Sequence, residues 1–249
     1  MLKTLGIVQA SFSTPRFHGL AGRQLGGQSL LAWVIRRVTD CQQLDGVIVL
    51  ASGLPGEPPV RDLVPSDVPL LLSDRPDALS RFMLALEEYP AETVVRIRGD
   101  NPFIDPGLID RLITTAQNCA NSDYVTYRSS DGQPAILSPV GVYAEWFQTA
   151  ALRRAAKSAK SPADREHVTR YLYSHPEKFN IRLIPAPPEI DRDDVRLTID
   201  IEEDWEHTLA IFDALGPDEV DWRRIAELLG HQPALRQRMA ALNREYARN

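Results

Sequence analysis

The sequence predicts a single α/β domain, with a mostly parallel, mixed sheet covered by helices on both faces. Two observations carry that expectation. Short apolar, β-branched runs alternate with amphipathic stretches of helical period along the whole chain, the pattern of right-handed β–α crossovers. The 249 residues suffice for one large core, and no repeat, low-complexity tract or clear linker divides them.

Taken in order, residues 5–9 (Leu5-Gly6-Ile7-Val8-Gln9) form a short apolar strand. Residues 10–27 are rich in Ser, Gly, Pro and Arg and lack helical periodicity; loops of that length in a compact domain usually carry function. Leu30, Leu31, Val34, Ile35 and Val38 give 29–39 the apolar face of a helix. Residues 46–51 read as a buried strand, 53–59 as a Gly/Pro break, 68–72 as a shorter strand and 78–88 as a helix. The central strand, 93–98, starts β-branched and ends in alternation, as a strand does when it emerges from the core. Pro106 opens a helix that runs to 118. A strand over 123–127, a polar turn over 128–133 and a helix over 145–157 follow. Ser161-Pro162 caps a second helix through 173, before a strand at 179–184 and a break at 185–188. A last strand, 195–199, ends at Asp200; helices over 202–215 and 219–230 and a polar helical tail, 233–249, close the chain. Residues 128–188 form a candidate insertion over the site.

Charged residues at 25% and hydrophobic ones at 43% are the proportions of an ordinary soluble globular protein. A net charge of -6 argues against a nucleic-acid or anionic-membrane surface, although a local basic pocket is compatible with it. Cys41 and Cys119 lie far apart without metal spacing and read as small core residues in a reducing compartment. With no signal-peptide pattern at Met1 and no apolar run near the ~20 residues that span a bilayer, the expected location is cytoplasmic, with neither membrane nor nucleic acid as partner.

Chemistry concentrates on the stretch Val94-Val95-Arg96-Ile97-Arg98-Gly99-Asp100-Asn101-Pro102. Gly99 stops the central strand and puts Asp100 just past its carboxyl end, the edge where open α/β sheets bind ligands. A carboxylate fixed there beside a proline-stiffened loop can hold a hard cation such as Mg²⁺, which takes oxygen ligands. Gly-Asp-Asn-Pro is also ordinary turn chemistry, so Asp100 alone reads equally as a turn former. Asp200 ends the last strand, and Glu202, Glu203 and Asp204 after it suit a helix N-terminus without further purpose. By itself Asp200 reads as that helix's cap. If the two strands are neighbours, however, both carboxylates meet over one edge and can share a divalent ion. The loop leaving the first strand, with Ser13, Thr14 and Arg16, offers groups that hold phosphate, yet it has neither the Gly-x₄-Gly-Lys-Ser/Thr nor the Gly-x-Gly-x-x-Gly pattern. It reads as well as a surface loop. Glu166 and His167 stand near a helix start behind the Ser-Pro cap, either as plain polar residues or as a grip on a polar substrate.

At these positions the chain resembles the cytidylyltransferases that activate acidic sugars, in particular the spore coat polysaccharide branch, with relatives acting on acylneuraminate and ketodeoxyoctonate. The resemblance runs through Gln9-Ala10 to Arg16 and Gly19, Gly26-Gly27 with Leu30-Leu31, residues 77–82, Arg98-Gly99-Asp100-Asn101-Pro102, Pro139-Val140-Gly141 with Glu145, Arg165-Glu166-His167-Val168-Thr169, and Leu197-Thr198-Ile199-Asp200. It implies one Rossmann-like nucleotide-diphospho-sugar transferase domain in which a sugar hydroxyl attacks the α-phosphorus of CTP and pyrophosphate leaves. Mg²⁺ is then expected on Asp100 and Asp200, with Arg16 as a third catalytic residue. The nucleotide is expected on Gln9, Ala10, Ser11, Ser13, Thr14, Arg16, Arg75 and Arg98. Asn101, Glu145, Glu166 and His167 are expected to serve an acidic sugar, 128–188 to bind that sugar or a second copy, and a homodimer fits the family.

The chain departs from the family pattern at Ser11 and Leu20, where relatives usually carry Arg and Lys, and at Pro15, His18 and Tyr143. Each charge-assisted hydrogen bond is worth about 1.5–3 kcal/mol. Losing two weakens triphosphate binding by roughly 10²- to 10⁴-fold. The alternative reading is therefore a catalytically impaired relative acting as a binding or scaffolding subunit. A glycosyltransferase of similar fold is disfavoured, since Arg98-Gly99-Asp100 is not the usual Asp-x-Asp.

Overall fold

A computed structural model describes residues 1–10, 19–53, 60–119 and 121–246. Among them a seven-stranded sheet runs in the order β5 (Leu70–Ser73), β4 (Gly46–Ser52), β1 (Leu2–Gln9), β6 (Ala91–Arg98), β8 (Glu145–Gln148), β7 (Tyr124–Arg128), β9 (Ile181–Pro185). Every neighbouring pair is parallel except those that β8 makes with β6 and β7. The mixed, mostly parallel sheet of the sequence reading is thus the observed one. The range 128–188 contributes β8 and β9 to this same sheet.

Alternation along the strands fills two cores. Val8, Val49, Val95 and Val125 point to one face, covered by α1 (Leu30–Thr39), α3 (Pro106–Asn118), α7 (Glu202–Leu215), α8 (Trp222–Gly230) and α9 (Pro233–Tyr246). Ile7, Ile48, Val94 and Tyr124 point to the other, covered by α2 (Ala78–Glu88), α4 (Thr149–Ser158) and α6 (Arg170–Tyr173). Several helices start where side-chain oxygens satisfy their first N–H groups. Asp77 accepts from Ser80 (2.8 Å) for α2, and Asp105 accepts from Leu108 (2.9 Å) for α3, with Pro106 in its first turn.

Four expectations need correction. Residues 145–148 form β8, because aromatic Trp146 and Phe147 fill both cores from a strand; the helix begins only at Thr149. The helix expected through 173 breaks at His167–Thr169 into α5 (Pro162–Glu166) and α6. Within the long loop, β2 (Gln24–Leu25) and β3 (Gln28–Ser29) form a ribbon. Its two-residue turn, Gly26-Gly27, has φ of 59° and 81°, which suits glycine, and a Cβ on Gly26 would lie 2.7 Å from the Phe212 ring. Lastly, residues 195–199 form no strand and join none of the sheet, with a bend at Thr198. Val195, Leu197 and Ile199 are buried in alternation, which is why the sequence reads as a strand. Their backbone bonds go to loops instead: Leu197 and Thr198 donate to the Pro139 carbonyl (2.8 and 3.0 Å), and Ile199 donates to that of Asp100 (3.0 Å).

The seat of this strap, residues 193–201, depends on Gly141. Its φ is 71°, and a Cβ there would come within 2.7 Å of the Thr198 nitrogen. Gly141→Ala is expected to destabilise the fold by about 1–3 kcal/mol through backbone strain. An unchanged melting temperature would show that the strap does not rest on this residue.

Candidate active site

The carboxyl ends of β1, β4 and β6 set the site's floor. Gly99 donates to the Gln9 carbonyl (3.0 Å), pinning the turn that carries Asp100. Asp100 is 4% exposed, and Arg98 holds both its oxygens, Nε at 3.0 Å and a terminal nitrogen at 2.5 Å. The Asp100 charge keeps the Arg98 guanidinium above its ordinary pKa against burial, with help from Glu145 and Asp200. Thus three acidic residues, one from the first half of the chain and two from the second, act on one arginine.

The strap brings Asp200 there. Ile199 is bonded to the Asp100 backbone (3.0 Å), and the Thr198 hydroxyl donates to Asn101 Oδ1 (2.9 Å). Asp200 is not the cap of α7. That work falls to buried Asp204, whose carboxylate accepts from the backbone of Asp200 (2.9 Å) and Ile201 (3.1 Å). Asp204 also takes both arms of buried Arg196 (2.6 and 2.8 Å), so it has a structural task well beyond complementing a helix dipole. The Asp200 side chain is 32% exposed and 3.9 Å from Arg196.

A second cluster lies beside the first. Glu145, at 0% exposure, receives an ion pair from Arg96 and hydrogen bonds from the Tyr124 (2.6 Å) and Thr169 (2.7 Å) hydroxyls. Arg96 Nε continues the chain to the Gln9 side chain (2.9 Å). Burial and the Glu145 charge push the Tyr124 phenol well above its usual pKa. Through Thr169 the network fixes the α5–α6 break, where His167 and Glu166 are exposed. Although its surface is open to solvent, partial desolvation of the His167 ring by its neighbours, then the charges of Arg96, Arg170 and Arg98, lower its pKa from 6.5 against the opposing charge of Glu166. A lowered pKa favours the neutral imidazole at pH 7, beside arginines that are each paired with a carboxylate: Arg96 with Glu145, Arg98 with Asp100 and Arg170 with Asp164.

Known proteins bear on this geometry. The sequence pattern described as cytidylyltransferase matches residues 5–227. The chain belongs to the cytidylyltransferase family. It is 30% identical over 236 residues to an uncharacterized protein of Methanocaldococcus jannaschii, covering 94% of this chain and 93% of that one. It is 28% identical over 237 residues to the spore coat polysaccharide biosynthesis protein SpsF of Bacillus subtilis, covering 92% and 95%. The fold matches a cytidylyltransferase of Leptospira borgpetersenii with a TM-score of 0.82 at 21% identity, covering 95% of this chain and 98% of that one. It also matches CMP:2-keto-3-deoxy-manno-octonic acid synthetase complexed with CTP, with a TM-score of 0.65 at 13% identity, covering 85% and 99%. The sheet is thus that of the nucleotide-diphospho-sugar transferases.

For a cytidylyltransferase, the residues expected from sequence fall into four groups. Asp100, Asn101, Arg98 and Asp200 converge. Gln9 and Ala10 end β1 at the same edge, Arg75 is exposed after β5, and Glu166 and His167 lie on the rim by Arg96 and Arg98. Glu145 differs from its expected place facing a sugar: it is sealed inside, where it orients Arg96 and Thr169. Ser11, Ser13, Thr14 and Arg16 lie outside the described residues. Leu20, at 0% exposure, is packed into the core that α1 covers, so the departure from lysine here is an apolar contact. Arg23 pairs with Glu202 (2.7 Å) and lies over Trp205, tying the β2–β3 ribbon to the start of α7.

Sequence reasoning passed over Arg96, Arg196, Asp204, Thr169 and Arg170. The available signal was arginine inside an apolar strand, since a guanidinium leaving the core needs a partner.

A divalent cation suits this donor set. Asp100 and Asp200 offer hard oxygen ligands at one strand end, brought there by the Ile199–Asp100 backbone bond, although no group of three or more His, Cys, Asp or Glu arranged to hold a metal ion is found among the described residues, here or elsewhere. Mg²⁺ commonly takes one or two carboxylates and completes its shell with water and phosphate. No helix among the described residues is long and apolar enough to cross a membrane.

Two outcomes are expected. His167 should titrate below 6.5 by NMR of its ring protons, and a midpoint at or above 6.5 would remove the arginines from its surroundings. Being neutral in the fold, it costs stability only as pH falls below 6.5, where the unfolded imidazole gains its proton first. Glu145→Ala should destabilise by about 3–5 kcal/mol in chemical denaturation, because Arg96 loses its buried partner. A loss under about 1 kcal/mol would place that pair in solvent.

Proposed function

We propose that this protein is a Mg²⁺-dependent cytidylyltransferase that transfers CMP from CTP to an acidic sugar for surface polysaccharide or glycan synthesis. The observation that supports the reading is the bond from the Ile199 N–H to the Asp100 carbonyl, which sets residue 200 beside the carboxyl end of β6, with the charges of both Asp100 and Asp200 acting on Arg98. A cation held there acts as a Lewis acid on phosphate oxygens. The chain's own part is positioning and charge. Arg98 and Arg16 meet the triphosphate, Gln9, Ala10, Ser11, Ser13, Thr14 and Arg75 line the nucleotide, and Asn101 helps set the strap. A sugar hydroxyl attacks the α-phosphorus, the bond to the β-phosphate oxygen breaks, pyrophosphate leaves and the hydroxyl proton passes to solvent. Such transfers depend on alignment and electrostatics more than on covalent catalysis.

The acceptor side is assigned to 128–188, which supplies Glu166, His167 and Arg170 on the rim and Glu145 beneath. Neutral His167 among Arg96, Arg98 and Arg170 supports an anionic acceptor. The relative SpsF, named for spore coat polysaccharide biosynthesis, supports its destination in a surface glycan.

A second reading, a binding subunit without turnover, is favoured by buried Leu20 at a position where relatives usually carry lysine. Pyrophosphate release separates the two. CTP with Mg²⁺ should bind in calorimetry and release pyrophosphate when an acidic sugar is supplied. Asp100→Asn should abolish release while leaving the thermal transition in place. Heat of binding without release across nonulosonates and ketodeoxyoctonate would favour the binding subunit. No heat at millimolar nucleotide would defeat the enzyme.

A further inference from the structure

The strap that carries Asp200 has no sheet ladder, and its inner and outer sides are held by different parts of the molecule. On the inside, Leu197, Thr198 and Ile199 donate to Pro139 and Asp100. On the outside stands α9, which begins six residues past the end of the family match at 227. Asn243 Nδ2 donates to the carbonyls of Asp193 (2.8 Å) and Val195 (3.1 Å), the residues just before Arg196. Arg236 pairs with Asp194 and Arg238 with Glu203, and the Tyr246 ring lies 5.5 Å from the Arg196 guanidinium. Met239 and Leu242, both buried, fix the helix to the core. Four contacts from one helix therefore fall on the strap, between Asp193 and Arg196, and a fifth falls on Glu203 in the first turn of α7, just past Asp200.

We propose that α9 is a splint for the Asp200 strap and that Asn243 is a positioning residue for the cation-binding pair. The inference rests on the role assigned above to Asp200. Backbone without a ladder keeps its register only while its carbonyls and N–H groups are satisfied. Asn243 satisfies two carbonyls on the outer side, as a neighbouring strand would, and so keeps the inner side pressed on Asp100. Without its amide, the strap lifts, and the two carboxylates separate.

Calorimetric titration of CTP with Mg²⁺ into the full-length protein, well below its melting temperature, tests this. Asn243→Ala and Asn243→Asp both remove the donor and should each weaken binding about tenfold, the equivalent of two ordinary hydrogen bonds. Leu152→Ala, in the core on the other sheet face, should lower the melting temperature and leave affinity unchanged. Asp200→Asn should lose the Mg²⁺-dependent part of binding. If both Asn243 variants bind like the parent while Asp200→Asn is impaired, the splint is overturned and the assignment of Asp200 survives. If Asp200→Asn binds like the parent, that assignment fails and the splint falls with it. Equal loss of affinity in Leu152→Ala would reduce Asn243 to a contributor to stability.

Discussion

One backbone hydrogen bond, from Ile199 to the Asp100 carbonyl, decides what this edge of the sheet can do. Asp100 alone is a turn residue satisfied by Arg98. Asp200 alone is a half-exposed acid near a helix start. Brought to one strand end by that bond, both act on the charge of Arg98. Arg98 offsets their negative charge from one side and Arg196, held by Asp204, from the other. Buried carboxylates persist only when such partners are present.

The Glu145 network solves a related problem for the opposite charge. Three guanidinium groups near one imidazole would repel, so a fully buried carboxylate stands beneath them and takes Arg96, Tyr124 and Thr169 at once. The consequence is rigidity at three places: the end of β1 through Gln9, the strand β6, and the α5–α6 break. A surface held rigid in this way has less ordering to do when it binds a ligand.

Much of this was legible in the sequence. Alternating apolar runs placed most of the strands and helices near their observed ranges because burial dictates their period. Asp100 was legible from the strand-Gly-Asp pattern, and Asp200 from the buried alternation of Val195, Leu197 and Ile199. That same alternation misled over the strap, since burial pattern reports which faces are covered and not who receives the hydrogen bonds. Glu145 was legible as a charged residue of interest and illegible as a sealed one. Its partners Tyr124 and Thr169 lie 21 and 24 residues away, and only topology brings them together. Asp204 was hidden by a sound local explanation, the helix dipole, which was true of its position and silent about Arg196.

The reversed direction of β8 has a wider consequence. In a wholly parallel sheet every strand delivers its last residue to the ligand edge; β8 delivers its first, with Glu145 opposite Arg96. The chain approaching β8 must therefore pass over that edge, and in doing so it lays Pro139 and Gly141 under residues 197–198. A single change of polarity thus makes one junction serve two neighbours, and lengthening the connection between β7 and β8 would disturb the Glu145 network and the Asp200 strap together.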